Sequence, residues 1–196
     1  MPLGAFKAAL MGTAGVSTGD VVLLTTATAD GSATYLDFTS KITSTYGEYI
    51  FKFYNIHPNV SNKYLAVNFS TDGGSNFDVV KTTTAFMASH TEADATAFAY
   101  QTGWDRQQHA DRQRLSDGAG TDNDMSIAGE LHLFNPASTT YVKHFYSRTS
   151  TYEQGDKSTD SFAAGYANST SAINAVRFEM SANNMDAGTI KMWGVK

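Results

Sequence analysis

Apolar and polar side chains alternate along most of this sequence with a period of two residues. In YGEYIFKFYNI, the side chains of Tyr49, Phe51 and Phe53 fall on one face, while Glu48 and Lys52 fall on the other. A period of two is typical of strands that bury one face, whereas a surface helix repeats its apolar residues about every 3.6 positions. The sequence therefore predicts β-structure, and this prediction constrains every other interpretation of the chain.

The same alternation recurs in short segments separated by turn-forming residues. Leu36 and Phe38 alternate with Asp37, and Leu65, Val67 and Phe69 are predicted to point inward. Further strands are predicted in VVLLTTAT, IAGELHLFNP, TTYVKHFYSRTSTY, INAVRFEMS and TIKMW, with a short edge strand in SFAAGYA. About nine or ten short strands with almost no helical signal predict an all-β fold, an antiparallel β-sandwich or jelly roll.

Turn signals also predict which strands are neighbours. An Asp-Gly pair in residues 29–32 indicates a hairpin, and the strand after residue 77 is expected to continue a second hairpin. Asn135-Pro136 and the Asp-Ala-Gly of residues 186–188 are predicted to be turns.

One domain is expected from 196 residues. Residues 1–19 are predicted to form an N-terminal arm that docks onto a partner, and residues 20–196 a single sandwich. The arm is not read as a signal peptide, because Lys7 lies inside its apolar part. Residues from about 93 to 126 are polar, and their apolar side chains show no clear period. This segment is predicted to be one long surface excursion with a short helix.

Composition narrows the function classes. The formal net charge is −5, which argues against a nucleic-acid-binding protein, since these usually carry a basic face. The chain has no Cys, so it forms neither a disulfide nor a thiolate metal site. No apolar run is long enough to predict a membrane span.

The stretch FSTDGGSNF, residues 69–77, closely matches the Asp-box turn, S-x-D-x-G-x-T-W, of sialidase propellers. The residues of the turn are Ser70, Asp72, Gly73, Gly74 and Phe77. The Asp and Ser side chains of such a turn cap backbone N–H groups, and Gly supplies a positive φ. A propeller repeats the motif in at least four blades, and this chain has one copy. We therefore interpret the motif as structural.

No other motif predicts catalysis. The string GVSTG, residues 15–19, matches G-x-S-x-G but lacks the strand before the Ser and the helix after it. His132 and His144 lie on consecutive predicted strands, which provides at most two metal ligands. The carboxylates of Glu48, Glu130, Glu153 and Glu179 mostly fall at outward strand positions, and no pair is marked as sharing a cleft. We expect no enzymatic activity and no cofactor.

Two groups of residues are candidates for binding. Asp117, Asp122 and Asp124 lie in a Gly-rich segment that could bind Ca²⁺, although their spacing does not fit an EF-hand. The second group consists of aromatic and Arg side chains that could contact a partner or stack on a glycan: Trp104, Arg106, Tyr141, Tyr146 and Trp193.

The order of these segments resembles a family of small β-sandwich structural proteins of tailed bacteriophages, marine ones especially. The resemblance rests on ATYLDFTSKITSTYGEYIFKFYNI, NFSTDGGSNF, IAGELHLFNP and INAVRFEMSANNMDAGTIKMWGVK. It includes a last strand of the form G-T-[IF]-x-L-[YW]-G, here residues 188–194. The polar segment 104–125 departs from the family pattern and could form a partner-specific tip.

The resemblance implies a non-enzymatic protein of the virion surface, made in the host cytoplasm, in a tail fibre or host-attachment assembly. A capsid decoration protein of the same fold is the alternative, and a secreted glycan-binding module or a small sugar-acting enzyme is a third possibility. The expected partners are other virion proteins, through the arm, and further copies of the chain, with a trimer favoured. A host-surface glycan or protein is a further possible partner.

Overall fold

A computed structural model describes residues 20–196 and shows an all-β chain. The described residues form 12 strands and no helix, so the strand count exceeds the predicted nine or ten. The strands are β1 Val21–Thr28, β2 Tyr35–Phe38, β3 Glu48–Pro58, β4 Leu65–Ser70, β5 Lys81–Thr91, β6 Thr96–Tyr100, β7 Gln113–Arg114, β8 Ile127–Phe134, β9 Lys143–Glu153, β10 Lys157–Ala167, β11 Ala175–Met180 and β12 Met185–Val195.

These strands form two antiparallel sheets packed face to face, which confirms the predicted β-sandwich. The larger sheet has eight strands in the order β1-β12-β3-β8-β9-β10-β5-β6, and the smaller has four in the order β2-β11-β4-β7. The finer prediction of a jelly roll stays a prediction.

Phenylalanine rings fill the interior where β2, β11 and β4 face β12, β3 and β8. The ring of Phe178 lies 5.9, 5.1 and 5.2 Å from the rings of Phe38, Phe51 and Phe53, measured between centroids. All four side chains are buried, as the period-two pattern predicts. We call this region the aromatic half of the interior.

Hydroxyl and amide side chains fill the interior where residues 101–120 cover β9, β10 and β5. The Thr83 hydroxyl donates to Gln113 Oε1 at 2.6 Å, and the Thr149 hydroxyl donates to the Leu115 carbonyl at 2.6 Å. Thr151 and Ser161 are buried beside them. We call this region the polar half of the interior.

The polar half corrects the prediction for residues 93–126. The predicted helix is wrong, because the segment contains the strands β6 and β7 and otherwise turns and irregular chain. Residues 115–120 are all buried, so the surface excursion is confined to other parts of the segment. Within the buried part, polar side chains such as Gln113 bond to the inner face of the larger sheet, whereas the exposed residues of the segment face water.

The predicted neighbours of several strands were wrong. Residues 29–32 do not join a hairpin, since β1 pairs with β12 whereas β2 pairs with β11 in the other sheet. β4 and β5 likewise belong to different sheets. β10 is not a short edge strand, because its 11 residues lie between β9 and β5.

The Asp-Ala-Gly of residues 186–188 lies inside β12 and is not a turn. The register with β3 shifts on both sides of Ala187, and Gly188 has a φ of 118°. The Gly is therefore part of an irregularity that bends the sheet without ending the strand.

The predicted N-terminal arm, residues 1–19, and its GVSTG string lie outside the described residues. Within residues 20–196, no helix could cross a membrane.

Candidate interaction surface

The larger sheet turns one face away from the smaller sheet, and we call this face the outer face. Strand register places Trp193, Ile50, His132 and Tyr146 in one row across β12, β3, β8 and β9. The next row runs through Lys52, Glu130, Arg148, Phe162 and Phe86. These residues occupy the outward positions of the same alternation that buries Phe51 and Leu131, so the sequence pattern itself creates the outer face.

His132 is the centre of a mixed aromatic and acidic cluster on this face. Its ring stacks on Tyr146 with centroids 4.6 Å apart and an angle of 14°. Its Nδ1 contacts Glu48 Oε1, and its Nε2 lies 3.3 Å from Glu130 Oε1 without hydrogen-bond geometry. Burial, together with the charges of Glu48 and Glu130, raises the pKa of Tyr146. Tyr146 therefore stays a neutral phenol that can donate a hydrogen bond to a partner.

A second aromatic cluster lies toward β6. Phe86 stacks on Phe162 at 4.7 Å between centroids, and Phe98 lies 5.6 Å from Phe86. The side chain of Phe98 is 72% exposed. Arg148 places its guanidinium 5.0 Å from the centre of the Phe162 ring and forms a bidentate ion pair with Asp160. This cluster presents apolar area that a partner could bury.

A groove of about 640 Å³ adjoins both clusters, since Glu130 and Arg148 contribute to its lining. Tyr54 and the ion pairs Lys52–Glu130 and Arg148–Asp160 line its sides. Its floor is formed by small residues, which are Ala128, Gly129, Ser150 and Ser158. The register of β3 with β8 shifts beside Tyr54, between Phe53 and Ile56. Irregularities of this kind re-aim side chains, and here one adjoins the aromatic wall of the groove.

The five predicted contact residues do not form one site. Trp193 and Tyr146 share a row of the outer face, and Tyr141 is 71% exposed in the segment between β8 and β9. Trp104 is 8% exposed, and the guanidinium carbon of Arg114 lies 3.7 Å from the centre of the Trp104 ring. Arg106 uses its side chain to donate to the Arg112 and Asp105 carbonyls. Trp104 and Arg106 therefore hold residues 101–120 in place over the larger sheet.

The Asp-box-like turn has a dense hydrogen-bond network. The Ser70 hydroxyl donates to Asp72 Oδ1 at 2.7 Å and accepts the backbone N–H groups of Asp72 and Gly74. Asn76 donates its backbone and side-chain N–H groups to the Asp72 carboxylate. The Ser70 hydroxyl and the Asn76 donors lower the pKa of Asp72 to about 2.

The two Gly and the aromatic residue complete this turn. Gly73 and Gly74 have φ values of 76° and 92°. Phe77 packs against the Arg177 guanidinium, at 4.2 Å from the ring centre. Arg177 is in turn paired with Asp37 on β2, so the turn is tied to the smaller sheet. All of these contacts are internal, which supports a structural role.

The acidic residues predicted to bind Ca²⁺ are not gathered. Asp117 is buried and accepts hydrogen bonds from Arg114 and the Gly118 N–H, whereas Asp122 and Asp124 are exposed. Across residues 20–196, no group of three His, Asp or Glu side chains has a geometry that could hold a metal ion.

Two buried Lys residues were missed by the sequence interpretation. Lys81 and Lys143 are both 0% exposed at the first positions of β5 and β9. Lys81 Nζ donates to Asn68 Oδ1, to Val79 O and to Ala110 O, whereas Lys143 Nζ donates to Ser169 O and Ser171 O. The one signal in the sequence is Asn68, a polar residue inside the apolar string LAVNFS.

Comparison with known proteins adds no relative. No protein-family model matches the chain, and no curated protein matches it.

Proposed function

We propose that this chain is a non-enzymatic structural protein of a bacteriophage virion surface, in a tail fibre or host-attachment assembly. It acts by binding further copies of itself and other virion proteins. The observation that carries the proposal is the composition of the β6 edge of the larger sheet.

The two edge strands differ in the features that normally prevent pairing between molecules. β1 has a register irregularity between Leu23 and Thr25, and its Leu24 carbonyl accepts a hydrogen bond from Lys41 Nζ, whereas β6 pairs with β5 without such an irregularity. VVLLTTAT in β1 and TAFAY in β6 contain no charged residue and no Pro, and Val21 and Leu23 are 55% and 44% exposed. Soluble monomers usually protect an edge with Lys, Pro, a bulge or a covering segment. Among the described residues, β1 and β6 each have one strand neighbour. The unprotected edge of β6 favours a protein that is completed by assembly.

The outer face supports the same proposal. Tyr146, Phe86, Phe98 and Tyr100 are 36–72% exposed on it or at its β6 edge. Aromatic side chains are enriched at protein interfaces, since they bury a large area with few rotatable bonds. A glycan-binding role on the same face is favoured by one specific observation, the groove beside Tyr54.

The location in the particle is tested by mass spectrometry of purified virions, followed by immunogold labelling. Labelling at the tail is the expected result. Labelling on the head would instead support the capsid decoration protein, and absence of the chain from virions would contradict both.

Assembly is tested with one charge on the edge of β6. We expect the purified protein to be an oligomer, with a trimer favoured, in size-exclusion chromatography with light scattering. Ala99→Lys places a charge on the exposed edge strand and should shift the protein toward a monomer. Thr102→Lys, in the exposed turn that follows, is the matched control and should leave the oligomer intact. A monomeric wild-type protein, or an unchanged Ala99→Lys oligomer, would contradict assembly through this edge.

A further inference from the structure

The contact between Lys81 and Asn68 brings a Lys amine against a side-chain amide in the interior. Lys81 Nζ lies 2.6 Å from Asn68 Oδ1, and the two residues are 0% and 7% exposed. The other acceptors of Nζ are the carbonyls of Val79 and Ala110, at 2.8 and 3.0 Å. Three neutral acceptors without a carboxylate are an unfavourable environment for a buried ammonium.

This environment makes the amine reactive near neutral pH. Burial, assisted by the charge of Arg106, lowers the pKa of Lys81 to about 7. A large fraction of the side chain is then the neutral amine, which has the lone pair that a nucleophile needs.

The amide of Asn68 is held and polarised. Its Oδ1 accepts the backbone N–H of Phe69 at 3.0 Å, and this donor stays in place when Lys81 acts as the nucleophile. Its Nδ2 donates to the carbonyls of Phe77 and Ala110, which fixes the plane of the amide. Donors aimed at a carbonyl oxygen stabilise the negative charge that develops there when a nucleophile adds to the carbon.

We propose that Lys81 and Asn68 form an intramolecular isopeptide bond. Lys81 Nζ adds to Asn68 Cγ, the Cγ–Nδ2 bond breaks, and a proton from Nζ leaves with Nδ2 as ammonia. The products are one secondary amide and one ammonia molecule, so the reaction needs no oxidant, reductant or cofactor. The inference stands independently of the proposed function.

A surface cleft reaches the Asn68 side of this pair. It has a volume of about 490 Å³ and is lined by Asn68 and Ala110 together with the carboxylates of Asp78, Asp111 and Glu179. Ammonia released from Asn68 can leave through the cleft.

Lys143 is an internal control for the chemistry. Its exposed fraction is 0%, as for Lys81, and burial lowers its pKa as well, although its amine is less deeply enclosed. Its Nζ donates to the backbone carbonyls of Ser169 and Ser171, at 3.0 and 2.7 Å, and to no side-chain amide. Burial alone therefore does not predict a reaction, and the neighbouring Asn distinguishes the two sites.

The test is the intact mass of the purified full chain under denaturing conditions. We expect a mass below that of the sequence by one ammonia, about 17 Da, and a linked pair of proteolytic peptides that contains Lys81 and Asn68. Lys81→Arg and Asn68→Ala should each restore the full sequence mass, whereas Lys143→Arg should still show the loss.

Two results would overturn the proposal. One is a wild-type protein of full mass with an unmodified Lys81 peptide, and this measurement does not depend on whether any variant folds. The other is a loss of ammonia that persists in Lys81→Arg, since this would indicate a cyclic imide at Asn68 formed without the Lys.

Discussion

In the aromatic half, phenylalanine rings meet edge to face or tilted, whereas the polar half includes hydroxyl and amide groups, several of which bond to one another or to the backbone. The aromatic half is stabilised by removal of apolar area from water, which depends little on orientation. The polar half depends on specific pairs such as Thr83 with Gln113, because breaking such a pair leaves a buried polar group without its partner. The hydroxyls of Thr151 and Ser161 are buried without a partner among the described residues. The aromatic half therefore depends mainly on buried area, and the polar half on specific hydrogen bonds. Substitutions in each half can measure these two contributions to stability separately.

The largest effect is expected at the centre of the aromatic half. Phe178→Ala removes a ring that contacts three other Phe rings, and it should lower the free energy of unfolding by about 3–5 kcal/mol. Urea denaturation measures the change. Phe98→Ala, on the exposed edge strand, is the matched control and should cost less than about 1 kcal/mol. Similar losses for both would contradict the placement of the core.

The next effect is expected in the polar half. Gln113→Ala removes the acceptor of the Thr83 hydroxyl and the donor to the carbonyls of Trp104 and Arg114. Unpaired buried groups should reduce the free energy of unfolding by about 1–3 kcal/mol. Thr84→Ala, on the opposite face of β5, should have little effect. An unchanged urea midpoint for Gln113→Ala would show that the polar half is not held by this side chain.

The turn between β4 and β5 connects the two sheets, and its two Gly should respond unequally. Gly73→Val and Gly74→Val both force a branched residue to a positive φ, at about 1–3 kcal/mol each. Gly74→Val should be the worse, because its Cβ would lie 2.8 Å from Thr39 Cγ2, while Gly73 has nothing within 4 Å. Melting temperatures compare the pair, and equal values would argue against the close contact with Thr39.

The smallest effect distinguishes paired from unpaired hydroxyls in the polar half. Thr149→Val removes the 2.6 Å bond to the Leu115 carbonyl and should cost about 1 kcal/mol. Ser161→Ala removes a buried hydroxyl that has no hydrogen-bond partner among the described residues, so it should be close to neutral. A loss at Ser161 as large as that at Thr149 would remove the distinction.

The aromatic half could be predicted from the sequence, and the polar half could not. Alternation identifies β3 and β11 and assigns Phe51 and Phe178 to the interior, because apolar burial leaves a direct pattern in the sequence. The same method misses the inner face of β10, whose buried Thr159 and Ser161 look like surface residues. It also misses β7, which has two residues and depends on its partner β4.

Strand neighbours were harder to predict than strands. An Asp-Gly pair specifies a local reversal of the chain, but it does not determine whether the next strand stays in the same sheet. Around residues 29–32, Asp30 accepts the backbone N–H and hydroxyl of Ser32, as in a tight turn, yet β2 enters the smaller sheet. The outer face could be predicted residue by residue, whereas its rows depend on pairings such as β3 with β8 and β12 with β3, which join strands far apart in the sequence.

The pairing of β1 with β12 brings the two ends of the described chain together. Val21 lies opposite Val195, and the Lys196 N–H donates to the Asp20 carbonyl at 2.9 Å. A short linker could therefore join residues 20 and 196, and a circular permutant opened in the exposed segment around Thr139 and Thr140 should retain the sandwich. For the same reason, residues 20–196 could be inserted into a single loop of a carrier protein, because the two junctions with the carrier would lie close together.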